Sequence, residues 1–197
     1  MRKTVIASLT ILIGWCAGLT FPASAAGDPD RDVVGRFLLV DTTGRPVTDE
    51  AYAGKIRLVV FGYTYCPDIC PTILNTLSVA LDHLGADRAK VVTLFISVDP
   101  QRDTVAHLKD YLVSFPEVIG LTGSPEQVAA VAYNYKARYE KQPAADGDPN
   151  AYSVDHTASI YIMDRAGNFL ARMPHGSKPD RVAERVRSYL YPKKTDE

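Results

Sequence analysis

Two thiols with three residues between them, Cys66 and Cys70, are the chemistry-bearing pair of this chain. They sit in Cys66-Pro67-Asp68-Ile69-Cys70-Pro71, after the apolar run Leu58-Val59-Val60-Phe61-Gly62-Tyr63 and before a helical pattern that starts near Thr72. Backbone N–H groups at a helix start carry partial positive charge, which favours thiolate over thiol. A thiolate is the nucleophile of disulfide exchange and a soft ligand for copper or zinc. If helical, the spacing puts the two sulfurs one turn apart on one face, where they could close a disulfide or grip one ion. Adding an imidazole to two thiolates gives a low-coordinate site that suits Cu(I) and can also hold Cu(II).

The third ligand must come from His83, His107, His156, His175 or Met173. His83 falls in a polar slot of the first helix and reads as a solvated surface residue, as does His107 on the second. His175 lies in the turn Met173-Pro174-His175-Gly176, and turns do host ligands. His156 opens a hairpin strand directly after a long loop. It reads equally well as a ligand and as a hydrogen-bonded strand-edge residue beside Asp155.

Composition narrows the setting. The chain has 197 residues and a formal charge of −1, with charges of both signs mixed along it. That fits one α/β-sized domain with a short N-terminal extra, and it gives no basic face for nucleic acid. Residues 1–26 read as an export signal: a basic start at Arg2 and Lys3, an apolar stretch from Val5 to Phe21, and the small-residue site Ala23-Ser24-Ala25. An uncleaved membrane anchor is the rival reading, but a span needs about 20 apolar residues and this stretch is shorter. Cys16 lies inside it, behind bulky Trp15, which opposes a lipoprotein site. The exported part therefore keeps only Cys66 and Cys70. A disulfide closing so small a loop constrains the unfolded chain little, so chemistry explains the pair better than stapling does.

The elements that must position these groups follow in order. Residues 27–35 read as a polar tether, 36–192 as the folded domain and 193–197 as a polar tail. Strand Phe37 to Val40 turns through Asp41 to Pro46 into an N-terminal hairpin. Arg57 to Phe61 is an apolar strand of the kind buried on both faces of a sheet. The first long helix runs from Pro71 to Leu84, with Pro71 at its first position, and Gly85 ends it. Strand Val91 to Val98, a helix capped by Asp103 or Thr104, a short strand Val118 to Leu121 and a helix capped by Ser124 follow. Lys136 to Asn150 reads as a loop. Strands Ala158 to Met163 and Phe169 to Met173 form an antiparallel hairpin, and a helix from Pro179 to Leu190 closes the chain. The fold class expected is α/β: a thioredoxin-like mixed central sheet with helices on both faces and an N-terminal hairpin.

Three stretches together resemble the signature of the Sco/SenC family of copper chaperones, which act in cytochrome c oxidase assembly. They are Tyr63-Thr64-Tyr65-Cys66-Pro67-Asp68-Ile69-Cys70-Pro71, Ser97-Val98-Asp99-Pro100-Gln101-Arg102-Asp103-Thr104 and Tyr152-Ser153-Val154-Asp155-His156-Thr157. The resemblance runs in order from about Phe37 to Leu190. It implies a copper ion, as Cu(I) or Cu(II), bound by Cys66, Cys70 and His156, with His156 where thioredoxins keep a cis-proline beside the thiols. It implies delivery to the dinuclear copper site of cytochrome c oxidase subunit II, or preparation of that site's thiols. It further implies a location in the periplasm or on the outer face of the inner membrane. The expected partners are that subunit and another periplasmic copper chaperone or thiol reductant. Membrane attachment stays open, because many family members carry an anchor and this N-terminus reads as cleavable. Asp68 and Asp155 are expected to tune the site from behind its ligands. On this reading the chain is a metallochaperone rather than an enzyme. A thiol–disulfide oxidoreductase or a redox sensor acting on exported proteins is the alternative. A thiol peroxidase ranks lower, since Thr64 stands one position closer to Cys66 than that chemistry expects.

Overall fold

The computed structural model describes residues 30, 32–145, 147–148 and 151–192. The expected signal over 1–26 and the tail over 193–197 lie outside the described residues. Among the described residues no helix is long and apolar enough to cross a membrane.

The chain opens with the hairpin of β1 (Leu38–Asp41) and β2 (Pro46–Thr48), paired antiparallel. The Asp41 carboxylate accepts from the Thr43 and Arg45 N–H groups and closes its turn. Then come β3 (Ile56–Gly62), α1 (Ile69–Leu84), β4 (Val91–Ser97), α2 (Val105–Tyr111), β5 (Val118–Thr122) and α3 (Pro125–Asn134). After these follow β6 (Tyr139–Gln142), β7 (Ser153–His156), β8 (Ser159–Met163), β9 (Phe169–Pro174) and α4 (Pro179–Leu190).

One sheet has the order β2-β1-β5-β4-β3-β8-β9. Its three central strands are parallel, and the strands that flank them, β1 and β8, are antiparallel to them, each forming a hairpin with the edge strand outside it. This is the thioredoxin-like mixed sheet expected from the order of elements. Strand β3 is buried along its whole length. Its alternate residues serve opposite faces: Leu58 and Val60 pack with α1, α2 and α4, while Val59 and Phe61 pack with α3. Helix α1 lays Ile73, Leu74, Leu77, Ala80, Leu81 and Leu84 against that first face, beside Val182, Val186 and Leu190 of α4. Each Leu, Ile or Val among them contributes about 1.5–3 kcal/mol by leaving water. Arg57 is the one cation inside β3, and it is held by the buried Asp49 at 3.8 Å and the Tyr52 carbonyl at 3.4 Å.

Two caps form as their sequences predict. Thr104 Oγ1 accepts from the His107 N–H at the start of α2, and Ser124 and Gln127 form the reciprocal capping box of α3. The start of α1 differs. It begins at Ile69, so Cys70 lies inside its first turn and Pro71 is its third residue rather than its first. Proline is tolerated there because the first four helical N–H groups have no partner within the helix.

The stretch from Lys136 to Asn150, read as a loop, holds a strand instead. Here β6 pairs antiparallel with β7, with Tyr139 opposite His156, in a two-stranded ribbon separate from the main sheet. At the other end of the chain, Val33 is buried, Val34 donates to the Asn134 carbonyl, and Asp30 pairs with Arg172 at 3.1 Å, so these residues lie against the body.

Gly62 ends β3 directly under the thiols. A Cβ there would come 2.7 Å from Cys70 Sγ and 2.7 Å from the Phe95 ring, whereas one on Gly176 would meet nothing within 4 Å. Gly62→Ala is therefore expected to lower stability by about 1–3 kcal/mol through overpacking. Gly176→Ala should leave the urea midpoint unchanged, and equal midpoints for the two variants would contradict this packing.

Candidate metal centre

Cys66 sits in the turn between β3 and α1, partly buried, while Cys70 in the first turn of α1 is 2% exposed; both are free thiols. The turn is closed by the Cys66 N–H bonding to the Tyr63 carbonyl at 3.2 Å. The Cys70 N–H then donates to Cys66 Sγ at 3.4 Å. The sulfur thus accepts from an N–H that the helix start leaves without a partner, a place usually filled by a serine or aspartate oxygen. Asp68, the N-cap residue, makes no side-chain cap and instead accepts weakly from the Thr72 hydroxyl.

His156 ends β7 with its Nε2 3.5 Å from Cys70 Sγ. Its Nδ1 faces the Thr157 carbonyl at 3.4 Å, which presents Nε2 to the sulfurs. The Tyr63 ring stands edge-on to the imidazole, with centroids 5.8 Å apart. Cys66 Sγ, Cys70 Sγ and a His156 ring nitrogen all lie within 4.8 Å of one another, close enough to hold one metal ion.

The other candidates fall elsewhere. His83 pairs with Asp180 at 2.7 Å on the surface between α1 and α4. His107 is exposed and stacks on Tyr65 at 5.1 Å. His175 is exposed in its turn, and Met173 packs against the hydrophobic core. Asp155 is exposed and acts on His156 only through its charge.

Electrostatics divides the two thiols. A helix start was expected to favour thiolate, yet burial pushes the Cys70 thiol far above its ordinary 9.0, with the nearby Cys66 adding to the rise. Desolvation outweighs the helix-start field at this position. Burial likewise holds the His156 imidazole below its ordinary range, so it is neutral and able to ligate or to accept a proton. Cys66, the less buried sulfur, is the one a partner can reach. Cys70 must give up its proton to bind metal or to close a disulfide, and the nearest ring nitrogen is His156 Nε2.

The thiol shift fixes a pH dependence. Below pH 9.0 both folded and unfolded chains keep the Cys70 proton, and its contribution to stability is complete. Above that value the unfolded chain loses a proton the folded chain retains, so stability falls as pH rises, by up to about 1.4 kcal/mol per pH unit. Reduced protein is expected to lose stability above pH 9.0 more steeply than Cys70→Ser. An equal fall in unfolding free energy with pH for the two, read from denaturant curves, would contradict it.

The sequence did not reveal what joins the two halves of the site. The loop after β4 holds Asp103, which is fully buried. Its carboxylate accepts from the Thr64 N–H at 3.0 Å, the Thr64 hydroxyl at 2.6 Å and the Ser97 hydroxyl at 2.6 Å. That anchors the cysteine turn and commits the Thr64 hydroxyl to a structural bond. The same loop holds Asp99 and Arg102, which grip Tyr152, four residues before His156. The signal was present as adjacent charged and aromatic residues in the second and third motifs, but nothing in the sequence says that they touch.

Known proteins resemble this chain in sequence and fold. A family model described as SCO1/SenC matches residues 25–191. The chain is similar to the copper-bound structure of Bradyrhizobium japonicum ScoI, with 45% identity, 80% of this chain and 99% of that chain covered, and a TM-score of 0.73. It is 36% identical over 196 residues to protein SenC of Rhodobacter capsulatus, covering 93% of this chain and 87% of that protein. The structure reported as a disulfide switch in BsSco, a Sco-family cytochrome c oxidase assembly protein, shares 26% identity, with 84% of this chain and 98% of that chain covered and a TM-score of 0.65.

Proposed function

Since this chain belongs to the SCO1/SenC family, we propose that it is an exported copper carrier whose cargo is held by Cys66, Cys70 and His156. The observation that carries this reading is the convergence of two thiols and one neutral imidazole from segments 86 residues apart onto one spot. Two soft sulfurs and a borderline nitrogen suit copper in either common oxidation state better than they suit a hard cation. Three protein donors leave the ion less enclosed than a four-ligand structural cage does. One of them sits on a separate two-stranded ribbon, so a recipient's ligands can replace it stepwise.

Binding displaces the thiol protons, so affinity falls as acidity rises. The recipient is the dinuclear copper site of cytochrome c oxidase subunit II, and the place is the periplasm or the outer face of the inner membrane. Residues 27–35 would join the body to whatever precedes it. These assignments rest on the family and on the export pattern at residues 1–26. The direct test mixes copper-loaded protein with the soluble copper domain of subunit II, its cysteines reduced. Copper should appear in that domain with its characteristic absorption, and retention on the carrier over hours would refute delivery.

A second reading has its own support in the inequality of the sulfurs. The accessible Cys66 can attack a recipient's disulfide to form a mixed disulfide. Cys70 then attacks Cys66 Sγ, its proton passing to the departing second recipient sulfur, which leaves as a thiol. Two electrons pass to the recipient, and this chain ends as the Cys66–Cys70 disulfide. Such a step would prepare the recipient's thiols for copper. Reduction of an oxidised recipient by the copper-free dithiol checks it.

A further inference from the structure

We propose that Asp99, Arg102 and Tyr152 form a clamp that holds His156 at the thiols and thereby sets how fast the cargo ion leaves. This deepens the copper-carrier reading and rests on it. His156 is carried by β7, which among the described residues pairs only with β6, in a ribbon outside the main sheet. A two-stranded ribbon has little stability of its own, so its position depends on what ties it down.

Val154 of β7 is buried in the core and its backbone bonds the Tyr63 hydroxyl; the polar and aromatic ties at the foot of β7 converge on Tyr152. Its hydroxyl faces both oxygens of the Asp99 carboxylate, at 2.8 and 3.0 Å, and Asp99 is fully buried. The Arg102 guanidinium lies 3.6 Å from the centre of the Tyr152 ring, donates Nη1 to the Tyr152 carbonyl at 3.0 Å, and donates Nε to Asp99 at 2.5 Å. Lys141 of β6 covers the ring at 4.4 Å and bonds Gln101 at 2.5 Å. The guanidinium also reaches Tyr65 at 4.6 Å and Tyr63 at 5.7 Å, the residues that flank the cysteine turn and the imidazole. A planar cation stacked among three aromatic rings and bonded in plane is rigid, and lysine cannot reproduce it.

One loop thus holds both halves of the site. Asp103 grips Thr64, two residues before Cys66, and Asp99 with Arg102 grips Tyr152. Their separation fixes the distance from imidazole to sulfur. None of the three clamp residues supplies a metal ligand; they are positioning residues, acting through His156.

The test loads reduced full-length protein with one equivalent of Cu(II). It then follows loss of the thiolate-to-copper absorption after addition of excess EDTA. Arg102→Lys and Tyr152→Ala should release copper at least about tenfold faster, the range found when groups that orient a metal ligand are removed. Tyr152→Phe, which keeps the stacked ring, should fall between them and the wild type. Within a His156→Ala background the same changes should alter release less than about twofold, since their effect passes through a ring no longer present. Nitrogen hyperfine structure in the electron paramagnetic resonance spectrum should weaken in Tyr152→Ala. Release at the wild-type rate, or an equal acceleration with and without His156, would overturn the clamp while leaving the carrier reading intact. Wild-type protein that takes up no copper would overturn both. If Tyr152→Ala does not fold, Arg102→Lys completes the same cycle.

Discussion

Reduced His156→Ala protein is expected to surrender Cu(II) to a chelator at least about a hundredfold faster than wild type. The figure exceeds the 10- to 100-fold typical of groups that merely orient a ligand, because here the proposed ligand itself is removed. His156 Nε2 is the nearest ring nitrogen to Cys70 Sγ, at 3.5 Å, and the other three histidines lie on the surface with other neighbours. No substitute is at hand. The variant should still show two free thiols with a disulfide reagent, and burial of Cys70 should make the second react slowly. Unchanged copper release would mean that the imidazole is only a neighbour of the thiols. Failure of oxidase maturation in cells carrying this variant would separate carriage of copper from thiol exchange, because the dithiol survives the change.

The second large effect is redox control of the cargo. Oxidation of Cys66 and Cys70 removes two electrons and two protons, converts two sulfur ligands into a disulfide, and leaves one imidazole. The oxidised protein should bind no measurable copper at concentrations that saturate the reduced form, and adding a dithiol reductant should restore full uptake. The free thiols already lie within 4.8 Å of one another, so closure asks for rotation of side chains rather than a rebuilt turn. Comparable copper uptake by both forms would show that the metal binds elsewhere.

Much of the fold was legible because its signals are local. The buried run of β3, the apolar face of α1 and the Ser124 capping box each announce themselves within a dozen residues. Strand β6 did not, since Tyr139-Glu140-Lys141-Gln142 has no alternation of apolar and polar residues and only two partly buried side chains. It forms because β7 offers a partner, and β7 has a single fully buried residue, Val154. A ribbon held by its attachments rather than by its own apolar face leaves no periodic trace.

At the site, Cys66 and Cys70 were evident from spacing. His156 could not be chosen over the other histidines on local grounds; the family resemblance singled it out, and the fold brings it to the thiols. The unequal surroundings of the two sulfurs were hidden, because the burial of Cys70 depends on α1 starting at Ile69 and on Gly62 passing beneath it. Long-range pairs such as Asp99 with Tyr152 and Asp103 with Thr64 were equally silent, although every residue involved stands in one of the three recognisable stretches.

Copper K-edge X-ray absorption on the reduced, copper-loaded protein tests the central claim most directly. The account predicts an inner shell of two sulfurs and one nitrogen with imidazole multiple scattering, and loss of that imidazole signal in His156→Ala. A shell without sulfur, or identical spectra for the two proteins, would contradict it.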